Sequence, residues 1–181
     1  MKVIALLKLD RFDDALQALE AGGEEVKKEA PLAWAYALYK TGHLAEAEQI
    51  ALDLDQAPRG LKHVVAQAAY RKEHFSRAAQ LYADLAHDLS SGINEVSDLN
   101  VNSGATNAHL LFAGQQAHVR PTKAVNADLQ HFETAFNAAC AAIAKGRLKQ
   151  AEFYLSRAAG MLLYSISASS LTSLRSLLLY R

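Results

Sequence analysis

A lone cysteine, Cys140, rules out an intramolecular disulfide and a cysteine cage for zinc, and fits a reducing compartment. Proline and glycine are scarce too, at three and nine in 181 residues, which is too few for the many tight turns of a sheet protein. Neither sign of charge is in excess. Nineteen Lys and Arg balance nineteen Asp and Glu, so no net field draws the whole chain to nucleic acid or to an anionic membrane. Long hydrophobic runs are missing as well. Val3 to Leu7 is apolar, but Lys8 stops the run short of the roughly 7–15 residues of a secretion signal. The uncharged stretch from Ala158 to Leu174 is diluted by five serines and a threonine and falls below the roughly 20 apolar residues that span a bilayer. A soluble, cytoplasmic chain without membrane contact is expected.

What remains is apolar and rich in alanine and leucine. With 51% hydrophobic residues the chain can bury a real core, and its composition suits close-packed helices, so the expected fold class is all-α. One phrase recurs four times: Leu7-Lys-Leu-Asp-Arg-Phe-Asp-Asp-Ala15, Tyr39-Lys-Thr-Gly-His-Leu-Ala-Glu-Ala47, Tyr70-Arg-Lys-Glu-His-Phe-Ser-Arg-Ala78 and Ile143-Ala-Lys-Gly-Arg-Leu-Lys-Gln-Ala151. Each begins with an apolar or aromatic residue, has a basic residue within two positions, passes a turn element, and places Phe or Leu three before an alanine. The anchor alanines are 32, 31 and 73 residues apart. The first two steps approach the period of about 34 residues of a tetratricopeptide repeat, and the third fits two periods with an insertion.

Each unit therefore reads as helix, tight turn, helix, stacked into a solenoid. Gly42 and Gly146 supply the turn in two units, and Asp10 and Glu73 stand there in the others. Ala35, Ala66 and Ala139, twelve before their anchors, let the first helices approach their neighbours closely. Trp34, Leu38 and Tyr39, then Val65, Ala69 and Tyr70, then Ala138, Ala142 and Ile143 complete the first-helix faces. Leu81, Tyr82 and Leu85, and Tyr154, Leu155 and Ala158, continue them on the second helices. The repeat domain is expected over residues 1–159, with an irregular unit at 86–130. There Ser97 or Asp98 caps a helix running to about Gln116, and an extended loop follows from Ala117 to Asp128. Residues 160–181 read as a terminal helical or capping segment.

No constellation for chemistry emerges. No two of the seven histidines stand at the i, i+3 or i, i+4 spacing of metal ligands on one helix face. No phosphate-binding loop and no nucleophile elbow are present. Cys140 lies amid Ala138 to Ala142, where a thiol packs as a small hydrophobe. No enzyme, cofactor, metal or small-molecule substrate is expected.

Binding is the remaining possibility. In a stack of this kind the first helices line the concave face, and residues eleven and eight before the anchors point towards a ligand. Those positions hold Tyr36 and Tyr39, Gln67 and Tyr70, and Cys140 and Ile143, while His63 and Phe136 stand fifteen before theirs. Arg71, beside Tyr70, and Asn102 in the irregular unit complete the expected groove. Such a groove suits an amphipathic or extended peptide, because tyrosine gives contact area with little rotamer entropy. Residues 1–60 carry seven basic and eleven acidic side chains and residues 61–181 twelve and eight, a polarity that could orient a partner.

The run Phe136-Asn-Ala-Ala-Cys140-Ala-Ala-Ile-Ala-Lys-Gly146-Arg-Leu-Lys-Gln150-Ala-Glu, with Ala35 to Tyr39, Ala66 to Tyr70 and the interrupted fourth unit, resembles a known family. It is similar to the amino-terminal repeat domains of the seventy-two-kilodalton subunits of eukaryotic signal recognition particles. The resemblance covers roughly Lys2 to Ala159. It implies a scaffold whose concave groove holds a carboxy-terminal segment of the sixty-eight-kilodalton partner subunit. In that family RNA is met through a lysine-rich tail that this sequence lacks, so RNA contact is expected to be indirect. The resemblance fades after Ala159, where relatives continue through a polar, acidic linker. A generic peptide-binding adaptor for a chaperone is the rival reading. Its carboxylate clamp needs Lys and Asn in the first helices, where this chain has Leu32 and Tyr36.

Overall fold

Among the described residues the chain closes a helix five times with the same backbone device. Asp10 (φ 56°), Gly42 (φ 92°), Glu73 (φ 60°), Gly114 (φ 70°) and Gly146 (φ 69°) all adopt left-handed backbone. At each, the following N–H donates to the carbonyl five residues back, as in His43 to Leu38 (2.9 Å), His74 to Ala69 (3.0 Å) and Arg147 to Ala142 (2.9 Å). This satisfies carbonyls that the helix end would orphan and turns the chain sharply. The computed structural model describes residues 2–54, 56–87, 93–120 and 131–179, with side chains at 95–120 and 131–164 in the latter two ranges.

Four of the five turns are those of the repeated phrase, Asp10 and Glu73 included. The fifth, at Gly114, lies in the irregular unit and divides the long step of the sequence pattern into two. Its second-helix entry is lost because Gln116 stands where the phrase needs Phe or Leu, and Val119 where it needs the anchor alanine. A single turn of 3-10 helix, Gln116–His118, forms instead.

The described residues are helical without strands, in two units. The first, residues 1–89, contains α1 (Lys2–Lys8), α2 (Phe12–Glu29), α3 (Pro31–Thr41), α4 (Leu44–Leu52), α5 (Arg59–Arg71) and α6 (Phe75–His87). Successive helices pack on one another, and α1 also meets α3, and α3 meets α5, so first helices stand side by side. Pro31 begins α3 at its first position, where no N–H is required. Gly23 (φ 71°) kinks α2. The anchors Ala15, Ala47 and Ala78 and the small residues Ala35 and Ala66 have no solvent exposure, as close helix approach demands. Val3, Leu6, Leu19 and Ala37 form one core cluster and Leu38, Ile50, Leu61 and Val64 the next, with Leu16 and Trp34 packed against both.

Among the described residues of this unit two charged groups are buried, and both are paired. Glu48 accepts from Lys72 at 2.7 Å and lies 3.5 Å from Arg77, tying α4 to the turn after α5. Lys27 meets Glu20 at 2.8 Å and Glu24 at 3.3 Å, with its ammonium 4.9 Å from the Trp34 ring. Such pairing offsets the cost of removing a charge from water.

The second unit, residues 90–181, contains α7 (Ile93–Phe112), the 3-10 turn, α8 (Phe132–Ala144) and α9 (Leu148–Leu179). The expected start and end of α7 need correction. Ser97 and Asp98 lie inside the helix, whose first turn instead carries Glu95 at the positive end of the dipole, and the Gly114 turn ends it at Phe112 rather than near Gln116. The expected loop begins with the 3-10 turn, and its residues 121–128 lie outside the described ones. Ala135, Ala139 and Ala142 of α8 and Ala151 and Ala158 of α9 are buried, and α8 packs against both α7 and α9. Leu155, expected to continue the second-helix face as Tyr82 does, is 39% exposed instead, and Ile143, expected on the ligand-facing side of the first helix, is 40% exposed. No described helix is long and apolar enough to cross a membrane.

Candidate functional site

In the first unit, the helical period brings Tyr36, Tyr39 and Lys40 to one side of α3, and His63, Gln67, Tyr70 and Arg71 to one side of α5. The rings of Tyr36 and Tyr39 lie 6.5 Å apart at 27°, and Phe12, at the start of α2, meets Tyr36 edge-on at 6.1 Å. The Lys40 ammonium stands 4.8 Å from the Phe12 ring and 6.0 Å from that of Tyr36. Arg71 joins the two repeats: its Nη1 donates to the Tyr39 carbonyl at 2.7 Å, and its guanidinium lies 4.9 Å from the Tyr39 ring. A cation thereby caps the negative end of α3. Tyr70 packs against Phe75 with centroids 5.5 Å apart at 69°.

These tyrosines are half-buried, with rings fixed by neighbours and faces still partly open. Beneath them Tyr82 is almost wholly buried. Burial pushes its phenol well above the usual tyrosine range, and the phenols of Tyr39 and Tyr70 add to the shift. The structure thus joins Tyr36, Tyr39 and Arg71 directly and places His63, Gln67 and Tyr70 along the adjoining helix. Phe12 and Lys40 belong to the same ring cluster and were missed from the sequence. Their signal was present, since Lys40 is the phrase's basic residue and Phe12 its aromatic residue three before the anchor.

In the second unit, Phe136 is 51% exposed, and half-buried Cys140 follows it at i+4 on α8. Asn102 stands apart from that pair. It lines a cavity of about 250 Å³ with Ser97, Asp98, Val101, His131 and Glu133. Beside it the Asn137 Nδ2 donates to the Val101 carbonyl at 2.9 Å, a contact admitted by Gly104, whose missing Cβ would come within 3.3 Å of Asn137. A larger cavity, about 680 Å³, opens between the start of α8 and α9 and is lined by Phe132, Arg157, Met161 and Tyr164 among others. Among the described residues no group of three His, Cys, Asp or Glu could hold a metal ion. The first-unit face thus brings together rings, cations and an amide.

Residues 1–109 match the family model for the signal recognition particle TPR-like repeat. The chain is also 24% identical over 172 residues to signal recognition particle subunit SRP72 of the dog, Canis lupus familiaris. That match takes in 93% of this chain and 24% of the relative, so the chain spans about a quarter of that protein's length. On the family match, which covers more than half of its residues, this chain belongs to the signal recognition particle TPR-like repeat family.

Proposed function

We propose that the chain is a non-enzymatic scaffold of the signal recognition particle, working in the cytoplasm in co-translational targeting to the endoplasmic reticulum. Its ligand is a carboxy-terminal segment of the sixty-eight-kilodalton subunit, held by the first helices. The observation that carries this reading is the ring cluster of Tyr36, Tyr39 and Phe12, bridged to the next repeat by Arg71. Rings held by their neighbours lose little entropy when a peptide covers them. Repeat stacks place binding on such extended surfaces, since a single unit cannot bury its own apolar face. RNA is contacted through other parts of the particle.

The experiment is calorimetric titration of synthetic segments tiled across the carboxy-terminal part of the sixty-eight-kilodalton subunit into the chain. Binding of one segment is expected, and no binding by any would reject the reading. The chaperone-adaptor alternative makes a different demand. A carboxylate clamp recognises a free terminus, so amidating the peptide's end would abolish binding. Leu32, 41% exposed, and Tyr36 at the clamp positions supply no donor pair of Lys and Asn for it.

A further inference from the structure

The first unit's eleven Lys and Arg against fourteen Asp and Glu conceal a separation between its helix layers. Helices α1, α3 and α5 carry Lys2, Lys8, Lys40, Arg59, Lys62 and Arg71 and not one acidic residue. Helices α2, α4 and α6 carry nine acidic residues against three Lys and Arg. Three of the first-layer cations share one place in the repeat, seven before the anchors Ala15, Ala47 and Ala78: Lys8, Lys40 and Arg71. In the second unit that place before Ala151 is held by Ala144, and the corresponding place beside the Gly114 turn by Phe112.

Among the described residues these three cations meet no carboxylate. Lys40 faces the Phe12 and Tyr36 rings, and Arg71 engages a carbonyl and the Tyr39 ring. Elsewhere in the unit Arg11, Lys27 and Lys72 each have a carboxylate within 2.8 Å. Lys8, Lys40 and Arg71 are solvent-exposed, so their charges are available to a ligand.

We infer that Lys8, Lys40 and Arg71 form a basic ladder that selects an acidic, extended peptide whose carboxylates alternate with aromatic or aliphatic side chains. This deepens the proposed function and rests on the first helices being a peptide-binding face. Packed helices lie about 8–10 Å apart, and a chain extended as polyproline II advances about 3.1 Å per residue and returns to the same side every three residues. Carboxylates about three residues apart therefore meet successive rungs, and the residues between them cover the tyrosines. Three rungs are too few for tight binding of RNA, which relies on many phosphate contacts. The polarity thus runs between helix layers, and not only along the chain as the two-part charge count suggested.

The test uses fluorescence polarisation with a labelled peptide of about twelve residues, Glu at every third position so that all lie on one side of a polyproline II chain, and Leu or Phe between. A companion peptide carries Gln for Glu, and an unlabelled single-stranded RNA of equal charge serves as competitor. The acidic peptide should bind about five- to thirtyfold more tightly than the Gln peptide, and K40Q/R71Q should abolish that preference. Raising the ionic strength to physiological levels, where the screening length falls to about 8 Å, should shrink it too. Because Arg71 also caps α3, K8Q/K40Q provides a second variant that leaves the Tyr39 contact intact, and it should reduce the preference in the same direction. Equal binding of the two peptides, or a preference retained in both folded variants, overturns the ladder. RNA displacing the peptide at lower concentration than the peptide itself also overturns it. If a segment of the sixty-eight-kilodalton subunit binds both variants as tightly as wild type, the ladder fails and the scaffold reading stands. If the acidic peptide binds selectively while every tiled segment fails, the ladder stands and that partner is wrong.

Discussion

Asn107 grips the backbone of Arg120 from both sides: its Nδ2 donates to the Arg120 carbonyl at 2.7 Å, and its Oδ1 accepts the Arg120 N–H at 3.1 Å. Counted from the Gly114 turn, Asn107 occupies the place of Ala35, Ala66 and Ala139. Where the other repeats pack a second helix on alanine, this one holds extended chain with an amide. Val119, at φ −62° and ψ 129°, has already left the helix.

Asn107→Ala should therefore release the segment around Arg120 without disturbing the helices. Two neutral hydrogen bonds are lost, at a net cost of about 1–3 kcal/mol. Urea denaturation should report that loss, and limited proteolysis with a protease of broad specificity should show faster cleavage at the bonds just before Arg120. Unchanged cleavage and stability would show that the amide pairing holds nothing in place.

The left-handed turns allow a paired test. Glu73 carries a side chain in a conformation that costs roughly 1–2 kcal/mol for L-residues, whereas Gly42 occupies it freely. Glu73→Gly should be neutral or stabilising by up to about 1 kcal/mol, and Gly42→Ala destabilising by about 1 kcal/mol. Thermal melts of both variants decide it. Opposite signs at two positions so alike in sequence would be hard to obtain from any other source.

The same turns show why part of the fold was legible and part was not. A repeated local phrase with a glycine or polar residue at the turn and an alanine at the contact is written in sequence, and its helices, anchors and small contact residues all follow from it. The turn at Gly114 escaped notice because Gln116 and Val119 remove the phrase's other landmarks while Gly114 keeps its backbone role. At the binding face, spacing found the tyrosines. The link from Arg71 to the Tyr39 carbonyl is a contact between residues 32 apart, which helical period alone does not reveal. Asn102 lay off the common register, and sequence spacing gave no means of tying it to Phe136 or Cys140.

Tyr82 sets an alkaline limit on stability. In the unfolded chain its phenol ionises near pH 10, whereas burial keeps it protonated to higher pH in the fold. Its contribution is complete below about pH 10 and is lost as pH rises, because the unfolded state gives up the proton first. Lys27 acts in the same direction, its ammonium held above the ordinary lysine value chiefly by the hydrogen bond to Glu20, with Glu24 adding and burial opposing. Urea midpoints should fall from about pH 9 to about pH 11, and less steeply in Tyr82→Phe, which leaves only the Lys27 share. An identical slope in the variant would mean that Tyr82 titrates normally in the fold.

The proposed binding face makes the last prediction. Replacing Tyr36 and Tyr70 together by alanine removes one ring from each of two adjoining first helices while leaving Tyr39, with its Arg71 contact, in place. Loss of an aromatic anchor costs up to about 2 kcal/mol or more in binding, so the double variant should bind the sixty-eight-kilodalton subunit's segment at least about tenfold more weakly. Both tyrosines are half-buried, so circular dichroism must first show unchanged helicity. Tyr36→Phe and Tyr70→Phe keep the rings and lose only the hydroxyls; near-wild-type affinity in these would assign the effect to ring contact, not to hydrogen bonding. Undiminished affinity in a folded double-alanine variant would move the partner off this face and towards the exposed Phe136 and Ile143 of the second unit, where Phe136→Ala is the variant to titrate next.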